Sequence, residues 1–199
     1  MAIYTNLTEV SKGMHGIWRS SLLRSTIAGH ILDARVQKTT TQGGLIVTED
    51  INVDNGVALV LKGWSHDGLQ ERYAEIAGVK DKIVVVGTPA IVKDAFTKAQ
   101  ADETNFYIPA GKLARVYQIE GDEIDGDIFG VGAHQFTNAD PADIAVDAYV
   151  VVDGNGKWTA LAAKPTMSNY GFVGQIHSIQ TGANYSVVNI FAIQNVDNN

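Results

Sequence analysis

The sequence predicts a mainly β protein: a barrel or sandwich of short antiparallel strands, with one or two short helices and an extended N-terminal arm. Three observations lead there. Residues 113–119 alternate, with Leu113, Arg115, Tyr117 and Ile119 on one side and Ala114, Val116 and Gln118 on the other. That is the repeat of a strand, because successive side chains point to opposite faces. Asp153-Gly154-Asn155-Gly156 lies between two apolar runs and has the composition of a tight hairpin turn. Between these landmarks, turn signals recur about every ten residues, the spacing of sandwiches and barrels.

Residues 1–40 read as an N-terminal arm or extended segment, and 41–199 as the mainly β domain. In the first part Ile3, Leu7 and Val10 are widely spaced, and 17–24 mixes apolar and basic groups without a clean period. Lys12, Arg19, Arg24 and Arg35 lie here, while most acids lie further on. One reading packs this segment along the domain. The other makes it an arm that reaches another subunit, with an exposed Trp18 flanked by Arg19 and Arg24 as the contact, since Trp and Arg dominate binding hot spots.

From residue 44 the punctuation is regular. Residues 45–48 are a short strand candidate, and Asp54-Asn55-Gly56 is a hairpin signal because Asn-Gly supplies positive φ. The runs 57–61 and 83–86 are continuously apolar, as in strands buried on both faces. Between them, Leu69, Tyr73, Ile76 and Ala77 fall at i, i+4, i+7 and i+8, which predicts a helix over 69–77 with Gly78 as its stop. Residues 91–100 fit a helix and 90–92 a strand. The central stretch 106–131 reads as strand, turn, strand. After it come strands at 148–152 and 157–161, then a terminal hairpin of 172–179 and 185–193 about Gly182-Ala183-Asn184.

Composition narrows the function. Of 199 residues, 45% are hydrophobic and 19% charged, so the chain has a core to build rather than a disordered profile. A net charge of −7 and scattered Lys and Arg argue against nucleic acid as a partner. The chain has no cysteine, which rules out disulfides, thiol catalysis and Cys-ligated zinc. No basic stretch followed by an apolar core marks a signal peptide, and no run approaches the ~18 apolar residues of a membrane helix. The expectation is a protein made in a cytoplasm, without a membrane partner.

No catalytic motif assembles. In the acidic turn 120–127, taking Gly126 as the sixth position of an EF-hand loop puts Gly121 first and Gly132 twelfth, where acids are required. That leaves a solvated turn or a looser oxygen-ligand site. Asp125 and Asp127 are a carboxylate pair of the type glycoside hydrolysis uses, and a surface turn is the simpler reading. Gly63-Trp-Ser-His-Asp-Gly68 misses the nucleophile-elbow spacing by one residue. His15, His30, His66, His134 and His177 show no metal-ligand spacing, and no phosphate-cradling glycine loop is present. Catalytic residues, metal ligands and cofactors are therefore expected to be none. Trp64 and Trp158 are the candidates for stacking on sugar rings, with Trp18, Tyr170 and Tyr185 completing the aromatic set.

Tyr107-Ile-Pro-Ala-Gly-Lys-Leu-Ala-Arg-Val-Tyr117 followed by Gly126-Asp-Ile-Phe129 resembles a stretch of small structural proteins of tailed-phage heads. Those proteins continue with a strand, an Asp-Gly-x-Gly hairpin and a closing strand pair, to which 148–161, Gly174-Gln-Ile176 and Val187-Val-Asn-Ile190 are similar. The resemblance covers residues 105–195. It implies a non-enzymatic cement, decoration or minor head protein. Such a protein is assembled in the host cytoplasm into the virion, binds the major capsid protein and is often a homo-oligomer. The alternatives are a carbohydrate-binding β-sandwich module, a tail- or fibre-associated receptor-binding protein, or a hydrolase using Asp125 or Asp127 with a distant histidine.

Overall fold

The computed structural model describes residues 15–20, 23, 31–64, 71–89, 103–181 and 185–199. Among them twelve strands follow one another: β1 (Trp18–Arg19), β2 (Ile31–Gln42), β3 (Leu45–Asp50), β4 (Ala58–Trp64), β5 (Arg72–Ile76), β6 (Val84–Val86), β7 (Leu113–Gln118), β8 (Ile128–Gly132), β9 (Tyr149–Val152), β10 (Trp158–Leu161), β11 (Phe172–Thr181) and β12 (Ser186–Asn195). Helical structure among the described residues is limited to four three-residue 3-10 turns.

The strands form two layers. In the first, β2, β5, β4, β6 and β7 are neighbours in that order, and β7 pairs again with β2, closing a five-strand barrel. All of its pairings are antiparallel except β2 with β5, which run parallel. The second layer is a six-strand antiparallel sheet in the order β1-β8-β12-β11-β9-β10. A parallel bridge between Phe136 and Trp158 ties the chain beyond β8 to β10 at the far edge.

Alternation explains why the barrel strands are apolar throughout. Val84 and Val86 point into the barrel with Ala34, Val36, Leu59, Ala74, Ala114 and Val116. Val85 points the other way and joins Ala58, Ile83 and Ile119 in a second core, shared with Phe129, Trp158, Phe172, Ile176 and Ile190 of the outer sheet. A strand between two cores has no side that water reaches, so the alternating polar signal is lost. The run 83–86 is of this kind throughout, and in 57–61 Ala58 and Leu59 face the two cores while Val57, Val60 and Leu61 are half-buried.

Several expectations need correction. Residues 72–76 of the predicted helix form strand β5, with Ala74 buried and its neighbours half-buried; hydrogen bonding on both edges, to β4 and β2, overrides the local helical spacing. The stretch 106–131 does contain two strands, but β7 belongs to the barrel and β8 to the outer sheet, so the acidic segment between them is a crossover. Gly56 does take positive φ, at 76°, but β3 and β4 are not paired across that turn. The Asn55 side chain instead exchanges two 2.8 Å hydrogen bonds with the backbone of Thr88. Strand β2 runs across residue 40: its residues 31–36 pair with β7 and β5 in the barrel, and 37–42 pair with β3. Residues 90–100 and the turn 182–184 lie outside the described residues.

Candidate partner-binding surface

Strand β1 places Trp18 opposite Val131 and Arg19 opposite Gly130. The Trp18 ring packs between Tyr117, at 5.2 Å, and Phe129, at 5.3 Å, and is only 9% exposed. The exposed hot-spot role expected for Trp18 is therefore overturned: alternation turns its side chain into the shared core. Arg19 donates from Nη2 to the Tyr185 hydroxyl at 2.9 Å and from Nη1 to the Trp18 carbonyl at 3.2 Å. Arg24 lies outside the described residues.

A glutamine holds this segment down. Gln135 Oε1 accepts from the backbone N–H of Ile17 (2.9 Å) and of Gly132 (2.8 Å), while its Nε2 donates to the Asn55 carbonyl (2.8 Å). One buried amide thus satisfies three backbone groups that no strand ladder reaches.

Folding also brings together histidines that are far apart in sequence. His15 Nδ1 lies 2.8 Å from Asp54 Oδ1, and its ring stacks on Tyr107 at 5.0 Å. His134 Nε2 is 3.1 Å from the His15 carbonyl and donates to it. The hydrogen bond and charge of Asp54 raise the His15 pKa above its ordinary 6.5, against an opposing effect of burial. Burial lowers that of His134. The adjoining cleft, lined by Asp54, His134 and Lys157, holds only about 80 Å³, well under the ~300 Å³ at which ligand pockets begin. No group of three or more metal-ligating side chains occurs among the described residues.

The other candidates separate. Asp127 is fully buried, and its Oδ2 accepts from the backbone N–H of Glu120 at 2.8 Å. Asp125 stays on the surface in a turn where its N–H donates to Asp122 Oδ1 at 2.9 Å. The pair is thus divided between crossover and solvent. Trp158 is fully buried, with its indole N–H donating to the Gly56 carbonyl at 2.8 Å, which removes it as a sugar platform. Trp64 is 55% exposed, with the Arg72 guanidinium 4.3 Å from its ring centroid. Ser65, His66 and Asp67 lie outside the described residues.

A surface that sequence reasoning missed lies on β2 and β3. The first half of β2 sits in the barrel between β7 and β5, but, among the described residues, 37–42 pair with β3 alone. Gln42 pairs with Leu45 across Gly43 and Gly44, whose φ values of 58° and 84° make the tight two-residue turn that suits strand twist. Residues 38–49 are exposed or half-exposed on both faces, with Leu45 at 72% and Ile46 at 77%. Residues 39–48 carry no charge at all. The Gly43-Gly44 pair was the available signal. It is obscured because the strand before it, Thr39-Thr-Thr-Gln42, has no apolar alternation.

The chain matches no protein-family model, no curated protein and no solved structure.

Proposed function

We propose that this chain is a non-enzymatic virion structural protein that binds and stabilises a phage capsid, as a cement, decoration or minor head protein. The observation that carries the reading is the uncharged hairpin of β2 and β3, which presents Leu45, Ile46 and Val47 to solvent. An exposed strand edge beside an apolar patch is a template for association. The residues behind the phage-head resemblance have framework positions: Pro109-Ala110-Gly111 leads into β7, and Gly126-Asp127 leads into β8. A layer crossover of this kind suits a scaffold.

The test is co-sedimentation of the purified chain with capsids assembled from tailed-phage major head protein. The chain is expected to pellet with capsids and to raise their disruption temperature, because a ligand of the assembled state alone stabilises that state. A chain that stays in the supernatant at every ratio would end this reading. A second reading, a carbohydrate-binding or receptor-binding module, draws on exposed Trp64 alone. Its test is quenching of tryptophan fluorescence by soluble glycans.

A further inference from the structure

An isolated two-stranded hairpin is at best marginally stable in water; a third strand or a packed face is needed. Residues 39–48 have neither among the described residues, beyond a hydrogen bond from Thr39 to Glu75. Among the described residues, no strand pairs with the outer edge of β3. Natural edges are blunted by Lys, Pro or bulges. Here the register from Gln37–Asp50 to Gln42–Leu45 is unbroken, and residues 45–48 are Leu, Ile, Val and Thr. In a two-residue hairpin the pair closing the turn is hydrogen-bonded and pairs alternate beyond it. Ile46 and Thr48 therefore direct their N–H and C=O groups away from β2.

We infer that this edge takes a second copy of the chain, β3 pairing antiparallel with β3 about a two-fold axis at Ile46. The inference rests on the hairpin being the association surface proposed above, and it names the occupant. Pairing about Ile46 sets Leu45 opposite Val47 of the second copy and brings Thr48 beside its Gly43-Gly44 turn. Opposed residues share a face, so Leu45 and Val47 of both copies form one apolar cluster across the join. Two chains that each carry −7 repel on average, but this contact is free of that cost. The window 39–48 is uncharged, and Glu49 and Asp50 run past the second copy's Gly43-Gly44 turn rather than opposite acids. On β2 the corresponding open edge carries Lys38, which makes it the poorer template.

Light scattering on the full chain tests this. The wild type is expected at twice the chain mass and Ile46→Lys at the single-chain mass. Ile46 is exposed in the single chain, so the variant should fold with the same circular-dichroism spectrum as the wild type and lose only the stability that association adds. As a second probe, Ile46→Cys introduces the sole cysteine. Hydrogen-bonded antiparallel partners have Cα atoms about 5.5 Å apart, within the ~4.4–6.8 Å a disulfide spans, so oxidation should link two chains. A wild-type mass of one chain at all concentrations overturns the inference. So does an oligomer that survives Ile46→Lys while Ile46→Cys fails to link. The capsid assay separates the two claims: a dimer that ignores capsids sinks the capsid reading alone, and a monomer that binds them sinks only the two-fold.

Discussion

Gly87 lies flat against the indole of Trp18, so that a Cβ at position 87 would sit 2.4 Å from Cδ1 and Nε1 of that ring and 2.5 Å from Cε2 of Tyr117. Strand β1 is thus seated because one barrel residue has no side chain. Gly87→Ala is expected to cost about 1–3 kcal/mol by overpacking. The same change should expose Trp18 and shift its fluorescence to the red. Urea denaturation reads the first effect, and an unchanged midpoint would count against the packing described for β1.

Asn195 is the counterpart of Gln135 at the other end of the outer sheet. Its Oδ1 accepts from the Ile83 N–H at 2.7 Å, and its Nδ2 donates to the carbonyls of Ile83 (2.9 Å) and Ile119 (2.8 Å). The side chain therefore joins β12 to both ends of barrel segments. Asn195→Ala would strand those groups in a buried site, at about 3 kcal/mol given the usual cost of unsatisfied buried groups. Chemical denaturation of the two proteins side by side gives the number; a loss below about 0.5 kcal/mol, typical of surface positions, would contradict it.

The two histidines should titrate apart. His15 is raised above 6.5 by Asp54, so the stability it contributes is fully present below 6.5 and is lost as pH rises through its folded value. His134 is lowered by burial, so its contribution is present above 6.5 and is lost as pH falls through its folded value. Imidazole proton shifts followed by NMR are expected to give one midpoint on each side of 6.5. In Asp54→Asn the His15 midpoint should drop below 6.5, because burial is then the remaining influence. Coincident midpoints in the wild type would refute the pairing.

Of the three tryptophans, Trp18 and Trp158 are buried and Trp64 is exposed. Acrylamide should therefore quench one emitting class strongly, and Trp64→Phe should abolish that class while leaving the melting temperature nearly unchanged. If quenching persists in the variant, residues 15–20 leave the shared core in solution.

What the sequence disclosed, and what it hid, follows from where each strand's partners lie. The hairpin of β9 and β10 is local, and Asp153-Gly154-Asn155-Gly156 declared it directly. The strand β6 was legible because three valines packed against two cores leave no alternative. In β5, by contrast, the fully buried residue is Ala74, too small to print a period of two. Its flanks are polar for tertiary reasons: Glu71 pairs with Arg35 at 2.7 Å and Glu75 with Lys62 at 3.6 Å. Tyr73, Ile76 and Ala77, spaced with Leu69, then mimic a helical face. Asn55-Gly56 announced a turn but not its partner, since Thr88 is distant in sequence. The contact between His15 and Asp54 likewise depends on how residues 15–20 dock, which no local pattern encodes.

The crossover between β7 and β8 bears on the order in which the molecule is made. Every strand of the barrel lies between residues 31 and 118, whereas its cover is drawn from residues 128–195 and from β1 at the very start. A ribosome therefore delivers a barrel able to close while Ala58, Ile83 and Val85 still lack the sheet that hides them. Strand β1, made before the barrel, must also wait, because its ladder partner among the described residues is β8. For that interval the nascent chain carries a naked apolar flank, the form most prone to aggregation or chaperone capture. Fragments ending before β8 should accordingly be far less soluble than the whole chain.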